Sequence, residues 1–534
     1  MKKGFLILLL IAFTSIVIFA ESKNIERSSK VNDQNLININ QCSMYISNFG
    51  IFGQNNATGN SGFWWPTAYS SETYIFGAGI WVGALVDTGF IVDSTGTDTT
   101  WLTDTLVSCG YNPNSGATEF VPGDIIDSLP DRPSPYTNPW DIVYMSTTDN
   151  NGNEWPVRTS SNGDSIISEQ DSYCEYNDKE ESAHFTAENK PLNIEIHQTT
   201  YGWTGPILED IIFIKFDIRN DMDNAQSLKK CYIGIMADND IGNESGSAAN
   251  DLLGFIDTMT VDYNGVSDTL LQMNVGYQFQ LEEEAGWSHF PAIIEYDYLQ
   301  SPKATESVDL YHDGTYIIPA GERIGMTSFN YSTIVTDPAT KEERYQMLAG
   351  YDHISYNPSD PEDSYKPFPT WGVGVDSFPG QTENPSYVGD KRFMMSSGPF
   401  ELKNGEKTTL VVAIIMAETK DEIVMKSLVA RQMYDSILIS GVQETKTKVK
   451  KIENPAELIN FNIKNNAITF ESNELLNVSV YDVSGRSAFA DMRVLIGSKK
   501  YSYSINVSNL KNGIYILNTT NSSTKISKKI LLIK

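Results

Sequence analysis

Apolar and polar positions alternate with a period of two over much of this chain, the mark of strands with one face in a core and one in water. Thr73 to Val86 (TYIFGAGIWVGALV) is β-branched and aromatic. Asp87-Thr88-Gly89 and then Phe90-Ile91-Val92 follow it, so the pattern predicts a hairpin that turns at the Asp-Thr-Gly triplet. Asn193 to Thr199 alternates, and so does Ile212 to Ile218, with Lys215 and Asp217 on one face. Tyr232 to Met236 and Leu410 to Ile415 are continuous apolar runs, expected as strands buried on both faces. Between about 110 and 180 the chain is rich in Pro, Asn, Gly and Asp, the composition of long surface loops. A helical period occurs once. Thr419-x-x-Glu422 has the form of a capping box, Met425, Leu428, Val429, Met433 and Ile437 recur behind it, and Gly441 is placed to end the helix.

The two ends carry different patterns. Lys2 and Lys3 precede an apolar run from Gly4 to Phe19, then small Ala20 and polar Glu21-Ser22-Lys23. This predicts a cleavable signal peptide over residues 1–20, with an uncleaved anchor helix as the other reading. No later run is long enough to span a membrane once that segment is removed. Residues 21–40 read as a polar linker, 41–440 as a β-rich body that could comprise two or more sandwiches, and 441–453 as a basic hinge. From Asn454 alternating strands return. LNVSVYDV (476–483) runs into Ser484-Gly485, Tyr501 to Val507 alternates, LKNGIYIL (510–517) turns at Asn512-Gly513, and Ile526 to Ile533 closes the chain. That spacing predicts a small immunoglobulin-like sandwich over 454–534. The fold class expected is therefore all-β: a large β-sandwich-type body with one C-terminal helix, followed by a small Ig-like sandwich.

Asn454-Pro455, VYDVSGR (480–486), LKNGIYIL and the terminal KISKKILLIK together resemble the type IX (Por) secretion sorting domain. The opening departs from that family's aromatic-Pro-Asn-Pro, since Ile452-Glu453-Asn454-Pro455 stands there. The resemblance implies passage through the periplasm, recognition of residues 454–534 by the type IX machinery, and a secreted or outer-surface destination. The body also resembles a group of large proteins exported with the same domain, through ETYIFGAGIWVGAL (72–85), PLNIEIHQTTYGW (191–203), IMADNDIGN (235–243) and DKRFMMSSGPFELKNGE (390–406). That likeness implies export and a shared fold, and no reaction.

Charge divides the chain at the hinge. Residues 21–440 hold 23 Lys/Arg against 61 Asp/Glu, a balance of −38, whereas 441–534 carry +7. So acidic a body is repelled by nucleic acid and by anionic membranes, and it suits either cations or plain solubility. Cys42, Cys109, Cys174 and Cys231 have no zinc-ligand spacing; outside the cytoplasm they could form two disulfides or remain as buried free thiols.

Candidate chemistry is sparse. After the strand YIGIM, Asp238, Asp240, Asn243 and Glu244 place carboxylate and amide oxygens around Gly242, and Asp251 follows. Such oxygen ligands suit calcium, although the EF-hand Gly and Glu positions are missing; Asp and Asn also shape turns through their own backbone. Asp149 to Glu154 is a weaker copy. HExxH, GxSxG and phosphate-binding Gly loops are absent. The five His, His197 among them on an alternating strand, show no metal-pair spacing. Trp64, Trp65 and Trp203 lie beside Gly and Pro, where an aromatic face could stack on sugar, against a default of buried packing. The leading expectation is a non-enzymatic protein that binds glycan, cell wall or another cell surface. The alternative is a secreted polysaccharide hydrolase using paired carboxylates.

Overall fold

The computed structural model describes residues 32–92, 99–123, 142–152, 155–157, 166–205, 207–221, 226–242, 247–263, 266–369 and 378–435, and the C-terminal strands from 462 to 532. The signal peptide and the basic hinge lie outside these residues. The long strands of the body are β1 (Ser43–Ser47), β2 (Gly77–Val92), β3 (Thr99–Cys109), β4 (Gln170–Asn177), β5 (Ile194–Gly202), β6 (Ile211–Asn220) and β7 (Leu228–Asp238). They continue with β8 (Leu252–Tyr263), β9 (Val266–Phe279), β10 (Ile293–Gln300), β11 (Ser328–Thr333), β12 (Lys391–Leu402) and β13 (Lys407–Ala417). Two α-helices accompany them, α1 (Lys341–Leu348) and α2 (Lys420–Met433).

Together with shorter strands these form two antiparallel ten-stranded sheets. The first runs β11–β12–β7–β2, with β3 along the far side of β2 and β1 joined through the short strand Ile51–Phe52. The second runs β4–β5–β6–β13–β10–β9–β8. Between them lies one core, to which the first sheet gives Ile80, Val82, Ile233 and Ile235 and the second gives Ile196, Ile212, Ile214, Phe216, Val412 and Ile414. Each such side chain, fully buried, contributes roughly 1.5–3 kcal/mol.

Both outer faces are covered as well. Trp81, Met236 and Met394 lie under Met347 and Leu348 of α1, while Ile211, Phe213, Val411, Ala413 and Ile415 lie under Ala430 of α2 and Tyr434. This double burial is why Leu410 to Ile415 is apolar without alternation. Two glycines let α1 approach: a Cβ at Gly83 would stand 2.8 Å from Leu348 Cδ1, and one at Gly234 2.9 Å from Leu348 Cδ2. The C-terminal strands make two further antiparallel sheets. One runs Asn462–Lys464, Ala467–Ser472, Tyr501–Asn506, Asp491–Ile496; the other runs Asn477–Asp482, Gly513–Thr520, Lys525–Leu532.

Several elements differ from the sequence reading. Asp87-Thr88-Gly89 is no turn, because β2 continues to Val92 and absorbs the triplet as an irregularity in its pairing with β3. Within the stretch read as linker, Gln34–Ile37 is a strand paired with β1. Within the stretch read as surface loop, β4 is buried at all eight positions. Its Gln, Asp, Ser, Glu and Asn residues hide the strand, and Gln170, Asp171 and Glu175 find partners there, as where Asp171 accepts from the backbone N–H of Ile167 and Ser168. The capping box occurs on α1, where Thr340 and Glu343 bond each other's backbone N–H; on α2 the Thr419 side chain makes no such bond. No disulfide forms. All four cysteines are free, and burial raises each thiol's pKa. Cys42, Cys174 and Cys231 pack in the inter-sheet core, and Cys109 under α1.

The buried stripe of α2 is Ile423, Lys426, Ser427 and Ala430, and Met425 is 38% exposed. The inward stripe therefore holds two polar residues. Lys426 Nζ donates to the Met416 carbonyl at 2.7 Å and to Asp210 Oδ2 at 2.8 Å, and Ser427 Oγ donates to Glu295 Oε2 at 3.3 Å. Ile423→Ala is expected to destabilise the body by about 2–4 kcal/mol, and Met425→Ala by less than about 0.5 kcal/mol. Urea denaturation of the two variants measures the contrast, and equal costs would assign the helix the other face.

Candidate functional site

The Asx-rich loop follows directly from β7, and its position is set by pairing. Asp238 ends that strand opposite Arg392 of β12 on one side and Gly77 of β2 on the other. Arg392 Nε lies 2.9 Å from Asp238 Oδ1, and its Nη1 lies 2.6 Å from Asp390 Oδ1. Tyr111 Oη donates to Asp238 Oδ2 at 2.8 Å. Asp238, Asp240 and Asp390 each offer a carboxylate oxygen within 4.8 Å of the others. Burial pushes Asp238 up to about 8, with Arg392 opposing the rise, and pushes Asp240 up to about 6, with Asp390 adding to the rise. Three carboxylates around one guanidinium leave a surplus of negative charge.

Asp390 stands 152 positions beyond Asp238, and no spacing rule would have joined them. Asp251 has a different task. Its Oδ2 accepts from Gln278 Nε2 at 2.6 Å and from the Ile241 N–H at 3.4 Å, so it holds the loop against the second sheet. Asn243 and Glu244 lie outside the described residues.

Two of the three tryptophans are buried. Trp65 is 4% exposed and Trp203 8%. Trp65 Nε1 donates to Asp210 Oδ1 at 2.8 Å and its ring meets His289 edge-on at 5.5 Å. Trp203 packs beside Tyr201 and edge-on to Phe213 under α2. Trp64 is half-buried, 6.2 Å from Tyr45 between centroids. Gly and Pro beside a Trp mark a bend in the chain, and here the bends point inward.

A face of exposed rings lies elsewhere, on two segments that sequence reasoning passed over. Tyr311 and Tyr316, 40% and 39% exposed, flank the tip of a small hairpin made by Val308–Asp309 and Ile317–Ile318. Their centroids are 6.4 Å apart. His312 stacks flat on Tyr365 at 3.8 Å, Tyr351 meets Tyr365 at 5.1 Å, and Tyr356 meets Tyr351 at 5.5 Å. Tyr365 is held by donating from Oη to the Leu310 carbonyl at 2.6 Å. Carboxylates border the rings: Glu362 takes His312 Nδ1 at 2.9 Å, Asp313 accepts from Thr315, and Asp309 accepts from the Gly314 N–H. The charge of Asp257 raises the hydroxyl pKa of both Tyr311 and Tyr316, after burial. The density of tyrosines between 311 and 365 was the available signal.

Residues 454–534 match the family described as "Secretion system C-terminal sorting domain". The chain is thus a type IX secretion cargo, exported to the cell surface or beyond it. No curated protein matches it. Among solved structures, the crystal structure of Aspergillus nidulans amine oxidase is similar to 72% of this chain at 10% identity and a TM-score of 0.26. This chain spans about half of that protein, 52% of its length. So loose a superposition carries no argument for fold or activity.

Asp257, beside the tyrosine face, has a pKa raised by burial to about 6, and its Oδ1 has no hydrogen-bond partner among the described residues. A carboxyl that holds its proton more tightly when folded makes the folded state bind more protons between about pH 4 and 6. Stability then falls as pH rises through that window, and the full cost is present above it. Asp257→Asn removes the cost. The variant is expected to melt several degrees above the parent at pH 8 and level with it at pH 4, read by differential scanning fluorimetry.

Proposed function

We propose that this type IX cargo works outside the cell as a non-enzymatic binding protein, and that its ligand is a neutral glycan held on the tyrosine face. The observation that supports this reading is the run of partly exposed rings from Tyr316 and Tyr311 to His312, Tyr365, Tyr351 and Tyr356, bordered by carboxylates. Sugar rings present apolar C–H faces that stack on aromatic rings, and their hydroxyls donate to carboxylate oxygens. Because the border is acidic and the body carries −38, an anionic polymer would be repelled. The rings are anchored by stacking and by the Tyr365 hydrogen bond, so little ordering is left to be done on binding. The purified protein should be retained on neutral polysaccharides in affinity electrophoresis without releasing soluble sugar. Tyr311→Ala and Tyr316→Ala should each weaken retention about fivefold, the equivalent of roughly 1 kcal/mol per aromatic contact. Release of product would favour a hydrolase, and retention unmoved by both substitutions would remove the tyrosine face from consideration.

Calcium at Asp238, Asp240 and Asp390 is a second reading, favoured by the third carboxylate that folding brings to the loop. Oxygen ligands with a negative surplus suit a hard divalent cation. Millimolar calcium is expected to raise the melting temperature, with Asp240→Ala abolishing most of the gain. A melting curve unmoved by calcium or chelator would leave these carboxylates to Arg392.

A further inference from the structure

On the outer face of the second sheet, an imidazole and two carboxylates meet with no part in either site above. The register sets Glu175 of β4 opposite His197 of β5, and Glu195 precedes His197 by two residues on the same side of its strand. The alternate residues Ile194 and Ile196 fill the inter-sheet core. His197 Nε2 lies 2.7 Å from Glu195 Oε1 and 3.9 Å from Glu175 Oε1, and one ligand atom of each residue lies within 4.8 Å of the other two. Both glutamate side chains are almost wholly buried, while the imidazole remains 16% exposed. Buried Glu195 Oε2 has no hydrogen-bond partner among the described residues. An orphaned buried acceptor of this kind carries a desolvation cost with nothing to offset it, so a ligand there would relieve a standing penalty.

We propose that Glu175, Glu195 and His197 bind one divalent transition-metal ion of the zinc class. One imidazole nitrogen and two carboxylate oxygens are a donor set that suits zinc, with a fourth place for water toward the solvent edge of His197. Bonds of about 2.0–2.1 Å in a tetrahedron put ligand atoms about 3.3 Å apart. The separations of 2.7 and 3.9 Å lie on either side of that value, so small shifts of two side chains admit the ion. Tyr173 Oη donates to Glu175 Oε1 and orients that carboxylate from behind. Competing charges are engaged elsewhere. Asp217, opposite His197 on β6, takes Lys215 and Thr409 Oγ1 at 2.5 and 2.6 Å. Of the cations that bear on Glu195, Lys179 pairs with Asp221 at 2.5 Å. Arg219, opposite Glu195 across β5 and β6, turns its Nη2 to Asp221 at 3.7 Å, while its Nη1 has no hydrogen-bond partner among the described residues. Without metal the Nε2–H donates to Glu195; on binding, the Nε2 lone pair goes to the ion and the proton moves to Nδ1 or leaves for solvent.

The test uses the full chain, stripped with chelator and titrated with zinc chloride by calorimetry against a competing chelator. One equivalent of zinc should bind. His197→Ala and Glu195→Gln should each weaken it at least tenfold, and cobalt(II) at the site should give the intense visible bands of a tetrahedral ion. Circular dichroism confirms that each variant is folded; if His197→Ala is not, Glu175→Gln takes its place. Failure to bind one equivalent, or binding that survives these substitutions in folded protein, overturns the proposal.

Discussion

Two large sheets laid face to face bury one face each, and the outer faces must then be hidden by something else. That need for cover shapes the rest of this body. Where α1 lies on the first sheet, Gly83 and Gly234 give up their side chains so that Leu348 can reach the backbone. Where α2 lies on the second, β6 and β13 carry apolar residues at successive positions. Elsewhere polar side chains of the strands are enclosed, as Asp171 is by the backbone of Ile167 and Ser168.

Enclosure explains the electrostatics. A body with 61 acids and 23 basic residues cannot pair every carboxylate that its covers remove from water. A few buried cations are shared out: Lys391 to Glu383 at 2.6 Å, Arg431 to Asp297 at 2.6 Å, and Arg392 among Asp238, Asp390 and Asp337. Where burial outweighs the available cation, the carboxyl pKa rises instead. Glu295 is driven well above the usual range by burial and by Asp297 beside it, and Asp297 itself rises to about 7. Among the described residues, carboxylates cluster at the loop after β7 and around His197. Tyr311 and Tyr316 stand on the small hairpin, outside the two sheets, where stacking does not compete with the core.

Much of the strand pattern was legible. Ile212 to Ile218 and Asn193 to Thr199 are strands because β-branched residues recur with the right period, and Lys215 and Asp217 do share a face. The sorting domain was legible because its motifs occur in order over a short stretch. The inward face of α2 was not, since Lys426 and Ser427 look like surface residues until their partners Asp210, Met416 and Glu295 are in place. β4 was hidden for the same reason. The Asp-Thr-Gly triplet misled because local turn preference is weaker than the pairing of eleven residues of β3 along β2.

Export, an all-β class, an acidic body and the absence of familiar catalytic signatures were determined by the sequence itself, because each depends on composition or on residues close together in the chain. The partners of each charged group were decided only by tertiary structure. Asp390 reaches Asp238 through the pairing of β12 with β7, Glu175 reaches His197 through that of β4 with β5, and Tyr365 reaches His312 across a stretch that contains β11 and α1. Burial of Trp65 and Trp203 belongs to the same class. A side chain's neighbours across a sheet are fixed by register, and register is settled by which faces must be hidden, a condition that no local stretch of this chain contains.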